Sequence, residues 1–256
     1  MRAGHGLHRI GDLRDHGALG GDDPADRDPG VAAGLLRAAA GVIAELLAPT
    51  RCAGCDLPGT LLCDECLARV ACYDPALACP RCAAPFGVLA CTECCERELA
   101  FDSAVALGEL EGPLGRAVVL HKDAGELRLG ALLGELTAGR AGAVPDVVTW
   151  IPPTRAALTR RGFDHARAIA EPLAASLGVP CEALLTRPAA RDQRRLGRQA
   201  RLQAAEEAGF VAAACTGAVL VVDDALTTGA TLEAAADALR AAGATRVGVA
   251  VVARAW

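Results

Sequence analysis

Two adjacent aspartates, followed by threonines and a glycine, form the stretch of the chain whose residue types most clearly suggest chemistry. The segment VLVVDDALTTGAT spans residues 219–231, and Asp223 and Asp224 follow its apolar run. In an open parallel sheet, ligands bind beyond the carboxyl ends of the strands. Backbone N–H groups at the start of the next helix would face an incoming anion, and Gly229 would let the backbone approach it closely. We interpret this stretch as a site for a ribose 5-phosphate unit, which has vicinal hydroxyls next to a phosphate.

Two other interpretations of this stretch remain open. An ordinary strand, turn and helix with capping threonines would need no ligand at all. A paired-acid magnesium site of the receiver type would use the same two carboxylates, but a receiver places its acids in separate loops and carries a lysine late in the chain. The only lysine here, Lys122, comes before both acids.

Four Cys-x-x-Cys pairs lie between residues 52 and 94, and they suggest metal binding. Each pair can give two thiolates to a tetrahedral zinc ion, so eight ligands imply two structural zinc ions. A segment of this size with few core residues needs metal binding, of order 10 kcal/mol per site, to fold. Sequential and interleaved pairing are both possible, and a disulfide-stapled or redox module is the alternative. The pairs are Cys52/Cys55, Cys63/Cys66, Cys79/Cys82 and Cys91/Cys94.

From Phe101 onward, apolar strands alternate with helices. This alternation predicts an α/β fold, with a parallel sheet that helices cover on both faces. The predicted strands are residues 101–110, 146–151, 180–184, 218–222 and 246–254. The predicted helices begin near 113 and cover 126–140, 165–177 and 231–242.

The composition divides the chain into three parts. Residues 1–30 are rich in Gly, Asp and His and have no apolar period, so we expect a disordered segment. Residues 31–98 are predicted to hold a short helix and the double zinc-binding module, and residues 99–256 the main domain. Hydrophobic residues make up 52% of the 256 but aromatic residues only 3%, so the core must consist mainly of Ala, Val and Leu.

Charge and hydropathy limit the classes of partner. A net charge of -5 gives no general basic excess, so any nucleic-acid partner would need a local patch. The first residues carry charges and glycines where an export signal would be apolar, and the apolar segment 31–47 is short for a membrane span. We therefore expect a cytoplasmic protein without a membrane span.

The segment VLVVDDALTTGAT resembles the phosphoribosyl-pyrophosphate signature of type I phosphoribosyltransferases. From about residue 33 to 254 the chain resembles the ComF family, in which a cysteine-rich zinc ribbon precedes such a domain. The resemblance implies a type I phosphoribosyltransferase-like parallel sheet flanked by helices, with an N-terminal double zinc ribbon. It also implies that Asp223 and Asp224 hold the ribose hydroxyls in catalysis. The residues that would bind the 5-phosphate are Ala225, Leu226, Thr227, Thr228, Gly229, Ala230 and Thr231.

Three further segments resemble parts of the family's site. WIPPTRAALTRRGFDHARAIA, residues 150–170, corresponds to the loop that receives pyrophosphate; it supplies Pro152 and Arg155 for binding and Arg161 for catalysis. HKDAG, residues 121–125, gives Lys122 a catalytic role, and an ammonium is a compact point charge that arginine does not reproduce. The arginine-rich segment 187–201, which ends at Arg201, resembles a lid over the pyrophosphate.

Each of these basic residues has a plainer alternative. Any of them could simply be solvated at the surface, and the segment 187–201 could be a basic patch that touches single-stranded DNA. That segment has no interleaved aromatic residues for base stacking. The chain also departs from the family at Asp164 and His165, where the family usually has Asn and Gln, and this departure could alter the acceptor pocket.

The resemblance implies a phosphoribosyltransferase that uses phosphoribosyl pyrophosphate with Mg²⁺ and carries two structural Zn²⁺ ions. The acceptor is not evident, because the sequence contains no recognisable base-reading signature. The alternative is a non-catalytic module that senses a nucleotide precursor or serves natural transformation. In that case its partner would be incoming single-stranded DNA or a protein of the competence machinery.

Overall fold

The structure is a computed structural model that describes residues 45, 49–70, 74–188 and 209–255. The predictions for residues 1–30, for all but residue 45 of the helix expected near 33–48, and for Arg201 lie outside these residues. The chain from Thr50 onward forms one compact unit. No helix within the described ranges is both long and apolar enough to cross a membrane.

A four-stranded parallel sheet forms the centre of this unit. From one edge to the other, the strands lie in the order β1-β6-β5-β2, and every neighbouring pair is parallel. A separate antiparallel pair, β3 and β4, flanks the arginine-rich segment. The strands are β1 (Ser103–Glu109), β2 (Val147–Trp150), β3 (Leu185–Thr186), β4 (Val211–Ala212), β5 (Ala218–Leu226) and β6 (Arg246–Arg254).

Helices pack on both faces of the sheet. On one face, leucines of α2, α3 and α5, together with Ile169, pack on Val148, Val222 and Val252. On the other face, α6 packs on Val221 and Val249. Apolar side chains on both faces explain why the strands read as nearly continuous apolar runs. The helices are α1 (Asp64–Val70), α2 (Gly112–Ala124), α3 (Leu127–Ala138), α4 (Arg155–Arg161), α5 (His165–Leu177) and α6 (Ala230–Ala241).

Three elements differ from the sequence prediction. Strand β5 continues to Leu226 because it pairs with β6 along its length, so both aspartates lie within the strand and not beyond it. Residues 155–161, expected as part of a loop, form helix α4; the Thr154 side chain caps its start, and Gly162, with φ of 78°, ends it. The strand expected at 180–184 is reduced to a single bridge between Cys181 and Val148.

Candidate functional site

The two adjacent aspartates lie in the carboxyl-terminal half of β5, and both are nearly buried, with 9% of Asp223 and 4% of Asp224 exposed. Side chains of successive strand residues point to opposite faces of a sheet. Asp224 faces α2 and α5, where Lys122 Nζ donates a hydrogen bond of 2.6 Å to its Oδ2. On the same side, His165 Nε2 lies 3.6 Å from Asp224 Oδ1. Asp223 instead lines a small cavity with the residues that follow β5.

The pKa values of the two carboxyl groups shift in opposite directions. Burial, together with the neighbouring negative charge of Asp224, raises the pKa of Asp223 well above its usual value. Burial also disfavours ionisation of Asp224, but the nearby His165 imidazole and the charge of Lys122 outweigh it and hold the pKa of Asp224 well below its usual range. The pair therefore favours a single negative charge, on Asp224.

The residues Thr227–Gly229, which we call the β5–α6 turn, present unsatisfied donors at a helix start. Their three backbone N–H groups have no hydrogen-bond acceptor among the described residues. Gly229 has φ of 89° and is the N-cap of α6, so the positive end of the helix dipole adds to these donors. The adjoining cavity, of about 40 Å³, is lined by Asp223 and residues 225–232. It has room for one small polar group, such as the end of a phosphate.

Arg161 reaches the acids through His165. Its guanidinium lies between α2 and α5, with only 11% of the side chain exposed, and its Nη2 is 3.5 Å from Asp123 Oδ1. Its Nη1 lies 3.4 Å from His165 Nδ1, and its buried Nε has no hydrogen-bond partner within the described part of the chain. Arg155 is exposed at the start of α4. The Pro152 carbonyl, just before that helix, accepts a hydrogen bond of 2.9 Å from Arg187 Nε.

His165 is a residue that the sequence singled out only as a departure from the family pattern. It sits at the first position of α5, between Asp224 and Arg161. The preceding residue, Asp164, caps α5 by accepting from Arg167 N and also accepts a hydrogen bond from Trp150 Nε1. The departure from the family pattern at these two positions was therefore a usable signal. Of the two residues, only His165 is in contact with the acids.

His121 is a second residue whose contribution only the structure shows. It is fully buried, and its Nε2 lies 3.0 Å from the carbonyl oxygen of His165. Its Nδ1 lies 3.2 Å from the carbonyl oxygen of Glu126. Because His121 immediately precedes Lys122, these contacts fix the end of α2 that carries the lysine against the start of α5.

The eight predicted cysteine ligands form two groups of four, paired in sequence order. The contacts between sulfur atoms are 3.7 Å for Cys55 and Cys63 and 3.5 Å for Cys82 and Cys91. A tetrahedral zinc ion with Zn–S bonds of about 2.3 Å separates its sulfur ligands by about 3.8 Å, whereas a disulfide requires about 2.05 Å. Both groups therefore fit zinc, and their cysteines are free thiols. We call Cys52, Cys55, Cys63 and Cys66 the first cluster, and Cys79, Cys82, Cys91 and Cys94 the second cluster.

Each cluster contains one thiol that readily forms a thiolate. Burial acts to raise the pKa of Cys52, but hydrogen bonds from backbone groups, Cys63 foremost, outweigh it and lower the pKa to about 6. The same balance lowers the pKa of Cys91 to about 7. Burial raises the pKa of Cys66 to about 12 and that of Cys82 to about 11. Zinc would displace the protons from such thiols when it binds.

A larger cavity, of about 440 Å³, lies away from the acids. It opens at the amino ends of the strands, where Ser103, Ala218 and Arg246 contribute to its lining. Neither aspartate lines it. Since ligands of open parallel sheets bind at the carboxyl ends of the strands, the candidate site is the small cavity at the β5–α6 turn.

Comparison with known proteins agrees with this geometry. Residues 159–255 match the family model described as the phosphoribosyl transferase domain, and this segment includes both aspartates, His165 and the β5–α6 turn. The match covers less than half of the chain. No curated protein sequence matches this chain.

Two solved structures show local similarity. Glutamine phosphoribosylpyrophosphate amidotransferase from B. subtilis, complexed with ADP and GMP, is 26% identical, with 47% of this chain and 25% of that chain covered and a TM-score of 0.34. A structure described as the allosteric regulatory enzyme of purine biosynthesis is also 26% identical, with coverage of 48% and 25% and a TM-score of 0.32. This chain spans about a quarter of the length of either protein.

The predicted fold class is confirmed. The protein has an α/β fold of the type I phosphoribosyltransferase kind, with a parallel sheet flanked by helices and a matching family domain. Two four-cysteine groups consistent with zinc ribbons precede it in the sequence. The sequential pairing of the cysteines resolves the choice that their spacing had left open.

Proposed function

We propose that the protein binds phosphoribosyl pyrophosphate together with Mg²⁺ and transfers the phosphoribosyl group to an acceptor, with release of pyrophosphate. One observation carries this proposal: a pair of buried carboxyl groups, with one negative charge on Asp224, directly adjoins a turn whose three N–H groups have no acceptor among the described residues. The carboxyl oxygens suit ribose hydroxyls, and the N–H groups suit the 5-phosphate. Charge-assisted hydrogen bonds of this kind contribute about 1.5–3 kcal/mol each.

In this proposal, each group of residues has a separate role. Asp223 and Asp224 bind the ribose hydroxyls, and residues 225–231 surround the 5-phosphate. Arg161 and Lys122, which reach the acids from α4 and α2, neutralise charge that develops as pyrophosphate departs. Pro152 and Arg155 lie on the segment after β2, and we assign them to pyrophosphate binding. Arg201, on the arginine-rich segment, is assigned the same role from the sequence alone.

The residues present fit the proposed metals. Mg²⁺ prefers oxygen ligands and often binds through the phosphates of its substrate, and the carboxylates of Asp223 and Asp224 lie where they could assist. When bound, Mg²⁺ stabilises the charge of the leaving pyrophosphate. Zn²⁺ is assigned to the two cysteine clusters in a structural role. The cysteine module and this domain together support the ComF-like assignment that we propose for the whole chain.

The proposed site is tested by calorimetric titration of phosphoribosyl pyrophosphate with Mg²⁺. Thr228→Val removes a hydroxyl from the β5–α6 turn, and we expect it to weaken binding by about tenfold because one hydrogen bond to a charged phosphate is lost. Thr216→Val is the matched control, since Thr216 is exposed near the amino end of β5. Equal affinity in the wild type and both variants would show that the site assignment is wrong.

Catalysis is tested by measuring pyrophosphate release with candidate bases and with ammonia as acceptors. Release that depends on an acceptor supports the transferase. Tight binding without turnover by any acceptor would favour the non-catalytic alternative, a sensor of the nucleotide precursor. A transformation assay on the Asp223→Ala, Asp224→Ala double variant then tests the link with DNA uptake, and normal transformation would count against it.

A further inference from the structure

Arg254, at the end of β6, connects the second cluster to the β5–α6 turn. Only 5% of this residue is exposed. Its Nε donates a hydrogen bond of 3.2 Å to the carbonyl oxygen of Cys82, one of the zinc-ligating cysteines. Its Nη1 donates to the carbonyl oxygens of Leu226, at 3.1 Å, and of Thr227, at 2.8 Å. A single guanidinium therefore contacts both a metal-ligand residue and the proposed phosphate-binding turn.

Arg97 makes a second connection between the same two regions. Its backbone N–H donates to the carbonyl oxygen of Cys94, at 3.2 Å, so the second cluster fixes its position. Its Nη2 donates to the carbonyl oxygen of Thr228, at 3.0 Å, and to Glu233 Oε1, at 2.6 Å. Glu233 lies in the first turn of α6. The side chain of Arg97 therefore holds both the turn and the start of the helix that follows it.

These contacts determine which way the peptide groups of the turn point. In a trans peptide, the N–H of one residue points opposite to the C=O of the residue before it, and the described chain contains no cis peptide bonds. The carbonyl groups of Leu226, Thr227 and Thr228 point toward the two guanidinium groups. The N–H groups of Thr227, Thr228 and Gly229 must then point away from them. These are the three donors that have no acceptor among the described residues.

We propose that Arg97 and Arg254 are positioning residues, through which the zinc-bound second cluster holds the N–H donors of the β5–α6 turn in the orientation that binds a phosphate. The inference about ligand affinity rests on the proposed function, whereas the inference about the order of the turn does not. In this proposal the second cluster helps to hold the ligand site in place. The carbonyl oxygen of Cys82 accepts from the Arg254 guanidinium, and that of Cys94 accepts from the Arg97 backbone N–H. Preorganised donors bind an anion more tightly, since less order is lost on binding.

Hydrogen exchange tests the order of the turn without any ligand. Two amides report on it: Ala255 N–H donates to the carbonyl oxygen of Leu226, and Glu233 N–H donates to that of Gly229. In the full-length zinc-bound protein, we expect Arg97→Met to accelerate exchange at Glu233 by about tenfold, because a contact to the turn is lost. We expect Arg254→Met to accelerate exchange at Ala255 by at least as much.

Arg116→Met is the matched control. Like Arg97, Arg116 is an exposed arginine, and its Nη1 donates at 2.6 Å to the carbonyl oxygen of Gly54, which lies between Cys52 and Cys55 of the first cluster. Exchange at Glu233 and Ala255 should stay at the wild-type rate in this variant. Exchange unchanged in Arg97→Met, or accelerated equally in Arg116→Met, would overturn the proposal. Since Arg254 is buried, Arg97→Met keeps the test decisive if Arg254→Met does not fold.

Titration with phosphoribosyl pyrophosphate and Mg²⁺ tests the consequence for binding. We expect Arg97→Met to weaken binding by about tenfold, and Arg97→Lys, which keeps a donor and a charge, to recover part of the loss. If the wild type does not bind the ligand at all, the proposed function fails, and the exchange rates still decide the role of the two arginines. If exchange accelerates while affinity is unchanged, the positioning role is overturned.

Discussion

The two cysteine clusters share a ligand pattern but have different surroundings. The first cluster packs against the helices: a Cβ on Gly54 would touch Pro113 at the start of α2, and Arg116 of the same helix donates to the Gly54 carbonyl. The second cluster instead contacts the end of β6 and the β5–α6 turn through Arg254 and Arg97. Two four-cysteine groups, each built from two Cys-x-x-Cys pairs, therefore contact two different parts of the fold.

Each cluster contacts an element that is connected to a different aspartate. Helix α2, which the first cluster contacts, carries Lys122, the partner of Asp224. The turn that the second cluster contacts shares its cavity with Asp223. The two clusters thus connect to different sides of the candidate site through separate residues. Disturbing one cluster should therefore change one side of the site more than the other.

The largest expected difference comes from removing one ligand of each cluster. Cys55→Ser and Cys82→Ser change equivalent positions, the second cysteine of the first pair in each cluster, and each should lose one of two zinc ions and several kcal/mol of stability. We expect Cys82→Ser alone to weaken binding of phosphoribosyl pyrophosphate by more than about tenfold, because the backbone that holds Arg254 is released. Metal analysis and calorimetry measure the two effects. Equal losses of affinity in both variants would erase the distinction between the clusters.

Substitution of the two aspartates should give changes in stability of opposite sign. Asp224→Asn leaves Lys122 without its carboxylate, and we expect a loss of about 1.5–3 kcal/mol in the free energy of unfolding. Asp223→Asn keeps an oxygen for the Asp224 N–H, which Asp223 Oδ1 accepts at 2.9 Å, and removes the cost of protonating on folding a carboxyl group that ionises in the unfolded chain. We expect it to be neutral or to stabilise by about 1 kcal/mol. Thermal unfolding at pH 7 measures the stability of both variants. Losses of stability of similar size in the two variants would contradict the opposite pKa shifts.

The smallest expected effect, and the one most specific to the two carboxyl groups, is the way in which the stability of each variant changes with pH. The raised pKa of Asp223 means that its contribution to stability is present below its unfolded pKa, near 3.8, and is lost as pH rises through the folded value. The advantage of Asp223→Asn over the wild type should therefore grow as pH rises above about 4 and become constant once the folded carboxyl group ionises.

Asp224 should behave differently over the same range. Its lowered pKa means that its contribution is present above the unfolded value and is lost only as pH falls toward the folded one. The deficit of Asp224→Asn should therefore stay constant from pH 5.5 to pH 8. Urea unfolding midpoints, compared at equal zinc content, would check both trends. A deficit that disappeared toward pH 5.5 would mean that Asp224 is not held ionised, because a protonated Asp224 would behave like the asparagine that replaces it.

Local sequence patterns predicted most of the fold. The strands at 146–151 and 246–254 and the helix at 165–177 agree with β2, β6 and α5 to within a residue at each end. The apolar periodicity of each element is set by neighbouring residues, so each element can be predicted from its own segment of the sequence. Helix α4 was missed although Thr154 and Gly162 mark its two ends, because the segment was interpreted only by its likeness to a pyrophosphate loop.

The candidate site was only partly predictable. Asp223, Asp224 and the turn were visible because they are adjacent in the sequence, and Lys122 stood out as the only lysine. His165 and Arg254 were not identified, since a histidine at a helix start and an arginine at a strand end have many ordinary roles. Nothing near Arg254 in the sequence indicates that it contacts Cys82, which lies 172 residues earlier.

The sequence by itself determined the parallel α/β fold, the eight cysteine ligands and the position of the acid pair before a glycine turn, because each is encoded by neighbouring residues. Only the tertiary structure decided that the cysteines pair in sequence order, that the acids are buried with unequal charge, and that the second cluster contacts the turn. The last two of these features depend on side chains that meet across more than a hundred residues, as Lys122 meets Asp224, and on the burial that such contacts create. Burial determines how strongly charges and hydrogen bonds interact, and the burial of a residue cannot be deduced from the residues next to it in the sequence.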